Sequence, residues 1–132
     1  MIRMSRSEFV RLVRQAYKDV PPEVKQSLAN VDISVEEWPD PAMVGPGVFE
    51  GGDREAAGGD ASLFGLYIGV PLPERQGGGP ELPDRIVIYR QPILQSCKNL
   101  ADARKEIRIT LLHEVGHYLG MDEEDLHRLG YG

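Results

Sequence analysis

The run LLHEVGHYLGMDEEDL, residues 111–126, decides how this chain is read. Within it His113, Glu114 and His117 satisfy the pattern H-E-x-x-H. Residues four apart on a helix are neighbours, so both imidazoles can reach one cation at about 2.0–2.1 Å. Glu114 projects about 100° away from His113, close enough to touch a water on that cation without ligating it. At this chain's own composition, with 3 His, the pattern arises by chance in only about 0.6% of random orderings. On a wheel of about 100° per residue zeroed at His113, Glu106, Thr110 and His117 fall within about 60° and form one polar strip. Ile107, Leu111, Leu112, Val115 and Leu119 fall between about 120° and 260°, on the opposite side. The spacing predicts a helix over 101–119, closed by Gly120 as a left-handed C-cap.

Two histidines leave a metal short of ligands. A structural zinc is closed by four protein ligands, often cysteines, and this chain has 1 Cys, read here as a small core side chain at Cys97. The set that remains is two His and a carboxylate, with one coordination position open to water. Beyond the turn at Gly120 stand Asp122, Glu123, Glu124 and Asp125, acids that suit the N-terminus of a last short helix. A site with three protein ligands needs one of them, and Glu123 has the spacing at which H-E-x-x-H-x-x-G-x-x-H metzincins place their third ligand. His127, four residues after Glu123, is within reach as an outer donor, though a packed or exposed histidine is the commoner outcome.

Upstream, RIVIYR over 85–90 is the plainest strand, and residues 62–70 form a second whose Gly65 and Gly69 suggest bulges or close backbone approach. Val31, Ile33 and Val35 alternate with polar residues as a half-buried strand does. Ser5 and Glu8 have capping-box spacing ahead of a first helix with Phe9, Leu12, Val13, Ala16 and Val20 on its apolar face. Pro21 and Pro22 end it and open a second, and a short helix is expected over 92–99. Gly- and Pro-rich stretches at 39–61 and 71–84 read as surface loops. The order α, α, β, β, β, α, α, α predicts an α+β fold with helices on one face of a small sheet.

The chain's 132 residues suit a single domain over 1–132. A net charge of −6 without a basic stripe argues against nucleic acid or an acidic membrane as partner. The longest apolar run, 63–70, falls far short of the ~20 residues that span a bilayer. With no signal peptide's apolar segment at the N-terminus and no possible internal disulfide, the expected location is cytoplasmic.

Three segments now acquire a common meaning. LLHEVGHYLGMDEEDLHRLGY (111–131), LFGLYIGVPL (63–72) and LPDRIVIYR (82–90), followed by Pro92, Ile93 and Leu94, together resemble the bacterial mini-zincin family of zincin-like metallopeptidases. The resemblance implies a minimal zincin-like α+β fold with a small mixed sheet. It also implies an Asp-zincin-type site, H-E-x-x-H-x-x-G-x-x-D, in which His113 and His117 bind Zn2+, Glu114 is the general base and Gly120 makes the turn. Glu123 stands where the family usually has Asp. A glutamate still suits zinc, but its extra methylene moves the carboxylate and lets Asp122 compete, with Glu123 favoured on register. Tyr118 stands where relatives often have a third His and receives no ligand role, and neither Tyr118 nor Tyr131 is assigned to an oxyanion. The expected activity is zinc-dependent hydrolysis of a peptide or protein laid along a strand at 85–90 or 62–70. The alternatives are a zinc-binding interaction module without turnover, with an unidentified protein partner completing the cleft, and a metal-free adaptor.

Overall fold

Successive residues on a strand point to opposite faces, so Ile86, Val87 and Ile88 in sequence need cover on both. The computed structural model, which describes residues 2–40, 63–69 and 84–128, supplies it. Among the described residues, strand β3 (Asp84–Tyr89) is the centre of a three-stranded mixed sheet of order β1-β3-β2. On one side β1 (Val31–Glu36) runs parallel to it, with Val31 opposite Asp84 and Glu36 opposite Tyr89. On the other, β2 (Gly65–Ile68) runs antiparallel, with Gly65 opposite Ile88 and Ile68 opposite Arg85. Ile86 and Ile88 join the main core with Val35 and Tyr67, while Val87, Tyr89, Leu63 and Leu66 make a second buried cluster.

The helices follow their local signals. Helix α1 (Arg6–Lys18) starts where Ser5 Oγ accepts from the Glu8 backbone N–H at 3.1 Å, and it buries Phe9, Val13 and Ala16. Helix α2 (Pro22–Ser27) follows with proline in its first turn. Helix α3 (Arg90–Ser96) begins two residues earlier than the sequence suggests. Pro92 is accommodated in its first turn, where a missing N–H breaks no intrahelical bond, and the extended backbone of Cys97 stops it. Helix α4 (Leu100–Tyr118) is capped by Asn99, whose side chain accepts from the Asp102 N–H at 2.9 Å. It lies between α1 and the sheet, with Ile107 and Leu111 fully buried. Helix α5 (Glu123–Arg128) completes the set.

The second strand is shorter than expected because Gly69 leaves the ladder at φ +151°, a conformation that suits glycine. Arg90 belongs to α3, so the third strand ends at Tyr89. Of the loops expected over 39–61 and 71–84, residues 41–61 and 71–83 lie outside the described residues.

A polar clasp ties the ends of three elements together. Glu37, just past β1, pairs with Arg6 at 2.8 Å and Arg90 at 2.5 Å, and accepts from Gln91 Nε2 at 3.0 Å. The two guanidinium groups also reach the carbonyls of Val35 and Met4. The Gln91 hydrogen bond, reinforced by Arg90 and Arg6, holds the Glu37 carboxyl below its ordinary 4.5 against a smaller opposing effect of burial. Among the described residues no helix is long and apolar enough to cross a membrane.

Candidate metal centre

The C-terminal half of α4 carries the site. A single turn of helix brings His113 and His117 together with ring centroids 4.7 Å apart and planes inclined by 73°. Ligand atoms of His113, Glu114 and His117 all lie within 4.8 Å of one another, the group of potential metal ligands found among the described residues. Both histidines are buried, and Glu114 is 0% exposed. Of the strip that a helical wheel sets apart as polar, Thr110, His113 and His117 therefore face inward and Glu106 is half-buried, because the sheet covers one side of α4 and α1 the other. A carboxylate withdrawn from water beside two imidazoles is stable when a cation or hydrogen-bond donors compensate it. Two imidazole nitrogens on one turn of helix suit zinc and not calcium or magnesium, which take oxygen ligands almost alone. The residues present thus fit the zinc expected from the sequence.

Strand β2 roofs this turn of helix. A Cβ built on Gly65 would stand 2.7 Å from Thr110 Cγ2, 3.1 Å from the Val87 carbonyl oxygen and 3.3 Å from Glu114 Cγ. No side chain fits there, so the glycine lets a strand backbone lie directly against the turn that holds Glu114. One edge of β2 pairs with β3, and among the described residues the other edge has no strand beside it. The strand at 85–90 offers no such edge, since β3 is paired on both sides.

The chain past the helix is built to turn back. Gly120 has φ +87°, its N–H donates to the His117 carbonyl at 3.0 Å, and the Met121 N–H donates to the Gly116 carbonyl at 2.9 Å, the two bonds of a Schellman motif. Asp122 then caps α5: its Oδ1 accepts from the Asp125 N–H at 2.8 Å while Asp125 Oδ2 accepts from the Asp122 N–H at 3.3 Å. Asp122 is exposed and does not belong to the clustered group. Glu123 is the first residue of α5, and its side chain lies outside the described residues.

Other candidates stand apart from this centre. Tyr118 points to α2, donating from its hydroxyl to the Ser27 carbonyl at 2.8 Å and meeting Tyr67 edge-on at 5.7 Å. Cys97 is buried in the core, and burial pushes its thiol pKa up, away from the thiolate a metal would need. Burial likewise pushes the Tyr89 hydroxyl up to about 12, so it remains a neutral phenol. His127 is exposed on α5, and Tyr131 lies outside the described residues. Leu126, fully buried against Gly116, is the neighbour that sequence reading missed; a lone leucine in an acidic helix carries no signal for it.

Comparisons with known proteins agree with this geometry. Residues 28–132 match a family model described as zincin-like metallopeptidase. A solved structure of a conserved hypothetical protein from Thermo thermophilus is similar at 27% identity with a TM-score of 0.53, covering 95% of this chain and 99% of its own. No curated protein matches.

Proposed function

Since the chain belongs to the zincin-like metallopeptidase family, we propose that it is a zinc-dependent peptidase with Glu114 as its general base. The observation that carries this reading is the meeting of His113, Glu114 and His117 ligand atoms within 4.8 Å inside a buried turn of helix. His113 and His117 would hold zinc, with Glu123 as the third protein ligand. In support of that choice, Asp122 is exposed and already engaged in capping α5. Bound zinc supplies a Lewis acid that polarises the scissile carbonyl and acidifies a water molecule.

The remaining work falls to the chain itself. A peptide adds to the outer edge of β2 through main-chain hydrogen bonds, which sets its backbone along the strand that covers Glu114. The Glu114 carboxylate takes a proton from the attacking water and returns it to the amide nitrogen as the peptide bond breaks. Burial beneath β2 keeps that carboxylate out of bulk water, so no full hydration shell has to be stripped from it before it takes the proton.

The test is zinc stoichiometry combined with turnover of a mixed peptide library. The wild-type chain should bind one zinc and cleave, and Glu114→Gln should keep the zinc while losing cleavage by at least about a hundredfold. Equal cleavage by Glu114→Gln would overturn the assignment of the base. Stoichiometric zinc with no cleavage in the wild type would instead support the interaction-module reading.

A further inference from the structure

A glycine inside a helix weakens it, so Gly116, between the two histidines, needs a local reason. The reason is Leu126. A Cβ on Gly116 would stand 2.2 Å from Leu126 Cδ2, 3.2 Å from Cγ and 3.5 Å from Cδ1, so the leucine of α5 occupies the space of a side chain at position 116. Leu126 is fully buried there, on a helix whose other described residues are exposed or partly so. The same glycine accepts the Met121 N–H that closes α4. Gly116 thus holds both ends of the intervening segment, one through its carbonyl and the other through its bare Cα.

We infer that the Gly116–Leu126 contact is a positioning device that fixes α5 against the histidine-bearing turn and thereby sets metal affinity. This rests on the proposed role of Glu123. Position 123 opens the same short helix three residues before 126, so the residue that anchors the helix also fixes where its first turn lies. The backbone hydrogen bonds from Gly120 and Met121 to α4 hold only the connecting turn, and a turn alone permits α5 to pivot. Leu126 removes the pivot. It touches no reacting atom and acts through the placement of the acidic residue.

The experiment compares zinc dissociation constants, read by competition with a chromophoric chelator, for wild type, Gly116→Ala, Leu126→Ala, Leu126→Met and the Gly116→Ala/Leu126→Ala pair. Apo stability is followed in parallel by urea unfolding in EDTA. Gly116→Ala and Leu126→Ala should each weaken zinc by about tenfold to a hundredfold, the range seen when groups supporting metal ligands are altered. Leu126→Met, of similar volume, should stay within about threefold of wild type. The double variant should bind zinc more tightly than Gly116→Ala alone, because the deleted leucine atoms make room for the new methyl. Leu126→Ala, which only removes atoms, keeps the question answerable if Gly116→Ala does not fold. Unaltered zinc affinity in folded Gly116→Ala or Leu126→Ala, with only apo stability reduced, overturns the inference. A Glu123→Ala control separates the two levels: wild-type affinity there overturns the ligand assignment itself, whereas loss of zinc there with none in the Gly116 and Leu126 variants overturns only the positioning role.

Discussion

Replacing Gly65 with alanine adds one methyl group to the strand that covers Glu114. On backbone propensity alone the change is favourable, since glycine in a strand costs roughly 0.5–1 kcal/mol relative to alanine. Packing opposes it. The methyl would lie 2.7 Å from Thr110 Cγ2, where carbon atoms prefer about 3.5–4.0 Å, so β2 and α4 must part by about 1 Å. Val87 blocks a simple retreat, because the atom 3.1 Å from the methyl is a backbone oxygen of the central strand. Overpacking of this kind costs about 1–3 kcal/mol, which leaves a net loss of about 0–2.5 kcal/mol after the propensity gain. The same displacement moves the strand off Glu114, whose Cγ is 3.3 Å from the new methyl, and with Glu114 as the proposed base a 1 Å error there should cost about a hundredfold in rate. Urea unfolding of the metal-stripped protein measures the first effect, and kcat/KM on a cleaved peptide measures the second. A variant as stable as wild type, with an unchanged urea slope and unchanged kcat/KM, would refute the claim that β2 rests directly on this turn.

Two further substitutions probe the surroundings. Tyr118→Phe removes the 2.8 Å hydrogen bond to the Ser27 carbonyl and should cost about 1 kcal/mol in urea unfolding while leaving zinc stoichiometry at one; loss of zinc would make Tyr118 part of the centre after all. Glu37→Gln tests the clasp through pH. The Glu37 carboxyl titrates below its ordinary 4.5 in the folded chain, so its stabilising contribution is full above that value and disappears as pH falls through the lower folded value. Melting temperatures of wild type and Glu37→Gln should therefore differ near neutral pH and converge in acid, and a constant gap down to about pH 2.5 would contradict this.

Much of this molecule was legible in its sequence because the relevant signals are local. The Ser5 cap, the run of Ile86 to Ile88 and the turn at Gly120 each declare themselves within a few residues, whereas Asn99, expected as the end of a helix over 92–99, in fact caps α4. The histidine pair was legible for the same reason, since helical period alone brings four-apart residues together. Gly65 was readable as a place of close approach, but what approaches it was not, because Thr110 and Glu114 lie more than forty residues away. The inward orientation of most of the polar strip escaped the helical wheel. A wheel ranks faces by polarity and carries no information about a strand that packs on the polar side. Leu126 was hidden by its setting among charged neighbours, where one apolar residue is usually incidental. That the strand at 85–90 is central and the one at 62–70 lies at its side could be seen only once the sheet order was known, since pairing partners are not written in either segment.

The parallel ladder between β1 and β3 has a consequence for how the chain folds. Its register joins Val31 to Asp84, and the Arg90–Glu37 bridge that seals its far end spans 53 positions. Closing so long a span sacrifices chain entropy before any contact rewards it, whereas α3 and α4 follow β3 directly and pair over short distances. The downstream half, with β3, α3 and α4, is thus the natural nucleus, and β1 with its clasp zips on afterwards. With that nucleus formed at the transition state and β1 docking after it, mutations in β1 should chiefly accelerate unfolding and those in the α4 core should slow folding.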